Sequence, residues 1–504
     1  MAFTLRVRTV GYEKCRFELS TCRGSATSIT TDKHILIVDG VVFNWKPIEM
    51  MRHLESVGVD FLQALDGLFV LVLFEKVTNR AMVLRDPLGR RTAFVSNLQD
   101  GYCISNQPEE FNASPESSNL RIASYLGVCE FPPEMTYHVG VMEISAGTCY
   151  ELQCGGRCHL LWKRGLPANE SVASSFAGQV EYLDHTLDRA LERIVTAYRP
   201  KRLGVMLSGG IDSKIIAFYA RKFCNLTCLT WCFEDRNMDE SKEAKDAAKY
   251  MGLDWIPIQI SRNQPGLKRL DPTIRFAPEK HAFRPLKNRM YEEARSLGVD
   301  VLLNGVWGDQ IFRPLHHRFV QLRRRARLKW RHLFRTPWLS RVVEKELVSS
   351  GLTSIRYSER YERSLLGPRA CQSDSWEHLF FSRPDFQVVS PYRDVELISM
   401  MLRAKAEPEY SAPSKPHLRT LADGKVSFCV PHKMRRTSLE PLFVEILQAN
   451  RYEMQAHIER FKPHLEPWIK PRVLEEWVKV GPNEGHFVPF WMAQTYATWQ
   501  GQYG

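Results

Sequence analysis

No stretch of this chain stays apolar long enough to span a bilayer; the longest candidate, Leu68 to Phe74, has the length of one buried strand. The N-terminus, MAFTLRVRTVGYEKC, lacks a continuous apolar segment, which excludes an ordinary secretory signal and points to a cytosolic protein. The 12 cysteines are scattered. Cys154 and Cys158 lie close, but no Cys-x-x-Cys pair occurs in the chain. That argues against a metal knuckle or disulfide frame and for reduced, mostly buried thiols. The Gly-x-x-x-x-Gly-Lys-Ser/Thr phosphate loop is missing, as are internal repeats and low-complexity tracts. Acidic residues are in deficit, 57 against 69 Lys and Arg, giving a formal charge of +12.

What is present suits a globular protein of two or three domains. The chain has 504 residues, 44% of them hydrophobic. Much of the basic excess lies in HHRFVQLRRRARLKWRHLFR, residues 316–335. A basic helix of this kind is either a solvated face with Leu322, Leu328 and Phe334 partly buried, or a contact for nucleic acid, anionic lipid or an acidic peptide.

The first part reads as strands: residues 35–45, 69–75, and a strand–turn–strand at 81–96 built around Asp86, Pro87 and Gly89. LRIASYLGV reads as a short helix, and residues 142–152 as further β structure. Residues 162–175 are polar and hold Gly, Pro, Asn and Ser, the composition of a linker. An amphipathic helix follows, with Val180, Leu183, Leu187, Leu191, Ile194 and Tyr198 recurring every three or four residues. Strands LGVML, LTCLTWCF, DWIPIQI and VDVLLNGV then alternate with helices, which predicts a parallel sheet. From about residue 320 the chain reads mainly as helix.

Two turns carry chemistry. In LGVMLSGGIDSK (203–214) an apolar strand runs into Ser208, Gly209, Gly210, Asp212 and Ser213. The glycines permit a tight turn, the hydroxyls donate, and the following helix N-terminus attracts an anion. Asp212 would repel phosphate unless a metal lies between, and Mg²⁺ suits one or two carboxylates plus phosphate oxygens. Asp309, in NGVWGDQIF at another strand end, is the candidate second acid. The alternative is a Gly-rich turn with an Asp cap; the second Gly–Asp turn weakens it.

LSGGIDS resembles the pyrophosphate loop of ATP pyrophosphatases. WCFEDRNMDESKEAKDAAKYMGLDWIPI, NGVWGDQIF, SPYRDVELISMML and KPHLRTLADGKVSFCVPHKMRR resemble successive segments of the asparagine-synthetase superfamily. LDGLFVLVLFE and LRDPLGRRTAFVS resemble its glutamine-amidotransferase domain. The likeness covers most of the chain apart from residues 316–375. It implies a mixed α/β and α+β protein. Residues 1–165 would form a degenerate class II amidotransferase-like, Ntn-type β-sandwich. Residues 175–504 would form an adenylating α/β domain with a parallel sheet and helical extension. The resemblance implies ATP binding by Leu207, Ser208, Gly209, Gly210, Asp212, Ser213, Trp231 and Gly305, and Mg²⁺ binding by Asp212 and Asp309.

Departures from the family pattern narrow the expectation. A working glutaminase of the family has a Cys directly after Met1, whereas residue 2 is Ala and the first thiol is Cys15. An internal thiol lacks the α-amino group that serves as base. The resemblance then favours relatives that need no ammonia. These are β-lactam and carbapenam synthetases, and lasso-peptide macrolactam synthetases, which join a peptide's N-terminal amine to an Asp or Glu side chain. Val306 stands where β-lactam synthetases resemble one another in a Tyr and asparagine synthetases carry Glu; Trp307 stands where Gly is common. Glu396 matches the other half of the β-lactam dyad and is the candidate base. Arg435, Lys433 and Lys415 are the candidate cations at the transition state and pyrophosphate.

The expected function is therefore that of a lasso-peptide cyclase. A β-lactam-type synthetase, an ammonia-dependent asparagine synthetase and, from another class, an RNA-modifying ATP pyrophosphatase are the alternatives. The implied partners are a precursor peptide and a leader peptidase or leader-recognition protein, with no DNA. The 316–335 segment is available for peripheral contact with the inner membrane or a transporter.

Overall fold

The computed structural model describes residues 3–501, except 10–14, 22–25, 99, 112–116, 130, 155–156, 167–174, 224, 262–275, 279–282, 313–337, 351–360, 405–413, 427–439 and 482–486. The 316–335 segment and Ala2, Lys433 and Arg435 lie outside the described residues.

The protein is mixed α/β, with two antiparallel sheets and one parallel sheet among the described residues. The first antiparallel sheet has the order Cys15–Thr21, Phe3–Thr9, Gly101–Ser105, Phe94–Leu98, Val141–Glu143. The second runs Arg157–Lys163, Thr148–Gln153, Arg80–Arg85, Gly67–Glu75, His34–Val42, Ala26–Thr30. Side chains alternate along each strand, so the second sheet buries two faces. Ile35, Ile37, Val70, Val72 and Phe74 pack with Phe3, Leu5 and Val7 of the first sheet. Leu36, Val38, Leu71 and Leu73 instead pack with Met50, Met51 and Leu54, which lie on the helix Pro47–Val57. Residues 162–175, expected as linker, are partly strand: Arg157–Lys163 runs into them. The helix Phe176–Tyr198 then begins under a Ser175 cap, whose Oγ accepts from Gly178 N.

The parallel sheet has the order Asp254–Ile260, Leu226–Phe233, Leu203–Met206, Val301–Leu303, Gln387–Val389. Its last strand falls in the region expected to be helical. QVV is three residues long, too short for a periodic signal, and is a strand because it pairs in register with Val301–Leu303. Leu203–Met206 comes first in sequence but lies in the middle, so the order reverses between it and Val301–Leu303. That reversal opens a crevice at the carboxyl ends of the two strands. The two turns singled out from the sequence emerge there.

The halves share cores. Leu68 and Leu88 join the cluster that covers the parallel sheet, while Phe94 and Ile122 pack with Trp338 and with Trp477 and Trp499 of the C-terminal helices. Polar contacts cross the same seam: Arg91 donates to Tyr198 Oη at 3.1 Å and Gln387 Oε1 at 3.2 Å, and also contacts the His378 ring. Burial, reinforced by Arg91, holds His378 well below the usual imidazole range. The unfolded chain therefore takes up a proton as pH falls below about 6.5, while the folded chain does not. His378 thus supports folding above that pH and weighs progressively against it below. His378→Gln is expected to lose stability at pH 7.5, and the gap in Tm to wild type should close as pH drops to 5.5. A gap that stays constant across that range would remove His378 as its source.

Among the described residues, no helix is long and apolar enough to cross a membrane.

Candidate active site

Strand Leu203–Met206 ends directly below the loop Leu207–Gly210, and Gly210 caps the helix Ile211–Ala220. The loop is held by its own hydroxyls. Ser208 N donates to Ser213 Oγ at 2.9 Å, the two hydroxyl oxygens are 3.0 Å apart, and Gly210 N donates to Ser208 Oγ at 3.1 Å. Gly209 N donates to Glu240 Oε2 at 2.9 Å. A carboxylate thus sits on the amide of a loop built to receive anions.

The second turn packs against the first. A Cβ on Gly305 would lie 2.8 Å from Ser213 N, and one on Gly308 would overlap Asp212 Oδ1. Glycine at both places lets the turns touch. Trp307 lies between them at φ 81°, the left-handed region that explains why Gly is common there. Its indole Nε1 donates to Asp374 Oδ1 at 2.6 Å. Val306 is held by its neighbours on both sides: its N donates to Asn304 Oδ1 at 3.1 Å and its carbonyl accepts from Ser390 Oγ at 2.8 Å.

Asp212 and Asp309 converge on one cation. Lys415 Nζ pairs with Asp212 Oδ2, and with Asp309 Oδ1 at 2.8 Å. The Asp212 side chain is 16% exposed and that of Asp309 79%, so one acid forms the floor and the other the rim. Burial pushes the Asp212 carboxyl up, opposed by the pull of Lys415. Burial works the other way on Lys415, but the Asp212 carboxylate outweighs it and the ammonium is held above its ordinary value. Lys415 itself adopts φ 62°, a strained position for a residue with a Cβ. Tyr392 Oη donates to the Asp212 carbonyl at 3.0 Å and fixes the start of the helix.

Asp212 Oδ1 is buried without a hydrogen-bond partner. A free hard-oxygen ligand beside a second carboxylate fits Mg²⁺, which takes one or two carboxylates and completes its shell with water and phosphate. Among the described residues no group of three or more His, Cys, Asp or Glu forms a metal cage, so phosphate and water would supply the remaining ligands.

A cavity of about 310 Å³ opens above this floor. Leu207, Ser208, Asp212, Ser213, Trp231 and Gly305 line it, joined by Met206, Met238, Glu240, Met290, Asn304 and Val306. Its size and mostly apolar wall suit a planar heterocycle with a polar tail. Trp231 Nε1 is a buried donor with no partner. Gly209 and Gly210 belong to the loop beneath it.

Glu396 is not brought here. It lies in the first turn of helix Val395–Arg403, where its Oε1 accepts from Tyr182 Oη at 2.7 Å and pairs with Arg189 at 2.5 Å. Both partners lie on helix Phe176–Tyr198, whose polar face outcompetes the cavity for the carboxylate. Glu240, Tyr392 and Asp374 are site residues that the sequence pattern does not single out. The Asp-Glu pair after LTCLTWCF and the Tyr of SPYRD were visible in the sequence, but only the fold brings them onto the loop.

The asparagine synthase family profile matches residues 182–459, more than half of the chain and all of the described site. The chain belongs to the asparagine synthase family. Members of the asparagine synthase family are ATP-dependent C–N ligases. The chain is 26% identical over 327 residues to asparagine synthetase [glutamine-hydrolyzing] 1 of Arabidopsis thaliana, covering 57% of this chain and 50% of that protein. It is 22% identical over 319 residues to a putative asparagine synthetase [glutamine-hydrolyzing] of Mycobacterium tuberculosis H37Rv, covering 56% and 47%. The chain thus spans about half the length of the curated relatives it matches. The U34-tRNA thiolase NcsA of Methanococcus maripaludis matches over 48% of this chain and 72% of that one, at 14% identity and a TM-score of 0.23, too slight a likeness to bear on fold or function.

Proposed function

We propose that this member of the asparagine synthase family activates a peptide carboxylate with ATP, releasing pyrophosphate, and closes a macrolactam onto the peptide's own N-terminal amine. The observation that carries the ATP half is the convergence of Asp212 and Asp309 on Lys415, with Asp212 and the hydroxyl-lined loop forming the floor of a 310 Å³ cavity.

In this reading Met206, Leu207, Trp231 and Met290 hold the adenine end, and the Ser208–Ser213 loop receives the β- and γ-phosphates. Glu240 must leave the Gly209 amide for them to enter. Asp212 and Asp309 would hold Mg²⁺, which supplies charge neutralisation on the phosphates. Lys415, released from the two acids, follows the departing pyrophosphate as its counter-charge. The carboxylate oxygen attacks the α-phosphorus, the bond to pyrophosphate breaks, and an acyl-AMP forms. The amine then attacks the acyl carbon, loses a proton and expels AMP. Lys433 and Arg435 are proposed to face the developing charge. The acyl-AMP itself needs only to be kept dry and beside the amine.

Two features favour a peptide amine over ammonia from glutamine. The thiols of Cys103 and Cys158 are pushed up by burial to about 11 and that of Cys149 to about 12, which disfavours the nucleophilic thiolate at these positions of the first half. The cavity wall also presents Val306, 44% exposed, an apolar contact for a larger substrate. We accordingly assign residues 1–165 a structural role and residues 175–504 the adenylating one, with a precursor peptide and leader peptidase as partners.

The test is a mass comparison. The chain is co-expressed with its genomic neighbours and their short peptides are examined. A peptide lighter by one water, with a blocked N-terminal amine, is the expected product. An unmodified peptide alongside AMP formation from a small amino acid would replace the macrolactam reading by a β-lactam-type one.

A further inference from the structure

We propose that Asp374 is a positioning residue for the turn that carries Asp309, and that through Trp307 and Arg393 it fastens this turn to the first half of the chain. The inference rests on the nucleotide-binding reading above and deepens it.

The turn has an unusual requirement. Trp307 must hold φ 81°, which a residue with a Cβ does not keep unless its surroundings impose it. The surroundings do so from two directions. One Asp374 oxygen accepts the indole N–H at 2.6 Å, and the other pairs with Arg393 Nε. The Arg393 guanidinium carbon stands 4.5 Å from the centroid of the indole ring, so the ring is clamped at its edge by a carboxylate and on its face by a cation. Trp307 is 8% exposed and Arg393 1%, so the indole and the guanidinium are largely shielded from water.

Arg393 carries the connection onward. Its remaining N–H groups donate to Leu365 O at 2.5 Å and to Leu88 O at 3.2 Å, and its own carbonyl accepts from Arg90 Nη1 at 2.6 Å. Leu88 and Arg90 belong to the turn that Asp86 closes, accepting from Leu88 N at 3.1 Å and Arg90 N at 2.8 Å. A continuous buried path therefore runs from the first half to Trp307. The next residue, Gly308, lies against Asp212, and the one after it is Asp309.

Trp307, Asp374 and Arg393 do not line the nucleotide cavity. They line a separate space of about 40 Å³, which shares only Asn304 and Val306 with it. Their action on the reaction is through the turn alone. This gives the first half a use that needs no thiol: it is the wall against which the metal-binding turn is braced.

The test separates positioning from general stability. ATP binding to the full-length chain is measured by calorimetry, once with Mg²⁺ and once with EDTA, for wild type, Trp307→Phe and Asp374→Asn. Trp307→Phe keeps the ring beneath Arg393 and removes only the N–H. It is expected to weaken Mg-ATP binding roughly three- to tenfold while leaving binding in EDTA unchanged. Asp374→Asn is expected to act in the same direction. The double variant should lose less than the product of the two, because both break one linkage. Equal losses in both buffers, or no loss in either, would overturn the proposal. If Asp374→Asn does not fold, Trp307→Phe decides alone. A wild-type chain that binds no ATP in either buffer would instead remove the nucleotide reading on which the proposal stands.

Discussion

Asp212→Asn is expected to abolish AMP and pyrophosphate formation, by on the order of a thousandfold, or about 4 kcal/mol of transition-state stabilisation. The substitution preserves volume and removes one charge. In the free protein that charge is balanced by Lys415, and its Oδ1 has no partner at all. The unpaired Oδ1 is costly to folding, but the substitution also leaves the largely buried Lys415 ammonium with Asp309 alone, so the two effects oppose each other and Tm should change little. Loss of activity with a retained Tm is the signature of a group kept for ligand binding. A variant with full turnover would show that Asp212 is no ligand. One that fails to fold would show that its pairing with Lys415 is structural.

Gly308→Ala is expected to cost nearly as much, although it adds a single methyl and removes no functional group. The new Cβ would overlap Asp212 Oδ1 and come within 3.0 Å of Asp212 Cβ. Helix Ile211–Ala220 cannot retreat, because Ile211, Ile215 and Ile216 are fully packed against the sheet. The turn must move instead, taking Asp309 with it. A fall of at least a hundredfold in ATP-dependent activity is expected. Raising Mg²⁺ should restore part of it, because the ligands are displaced and not deleted. Steady-state rates across a Mg²⁺ series for wild type, Gly308→Ala and Asp212→Asn make the comparison. Gly308→Ala at wild-type rates would mean that the two turns are not held as close in the working enzyme.

Much of this site was legible because its signals are local. A short apolar strand, two glycines, an acid and a hydroxyl within twelve residues specify a strand, a tight loop and a helix start, and Leu203–Met206 followed by Ile211–Ala220 is what folds. The second turn could be paired with the first because each follows an apolar run, and adjacent parallel strands bring their carboxyl ends together. What stayed hidden depends on contacts across long sequence separations. Gln387–Val389 has too few residues for a period and is defined by its neighbour. Glu396 has the residue type and spacing of a base, yet Arg189 and Tyr182, more than two hundred positions earlier, claim its carboxylate. Asp374 gave no signal, since its meaning lies in the indole and guanidinium that meet it. Lys433, Arg435 and the basic 316–335 segment lie outside the described residues.

The central claim is that this chain cleaves ATP between the α- and β-phosphates in order to activate a carboxylate. The direct measurement is incubation of the purified chain with Mg²⁺, ATP labelled at the α-phosphate, and a candidate core peptide. Labelled AMP should appear in step with dehydrated peptide, mole for mole, and neither should appear with Asp212→Asn. Labelled ADP in place of AMP, or AMP released at the same rate with and without a carboxylate substrate, would contradict the account.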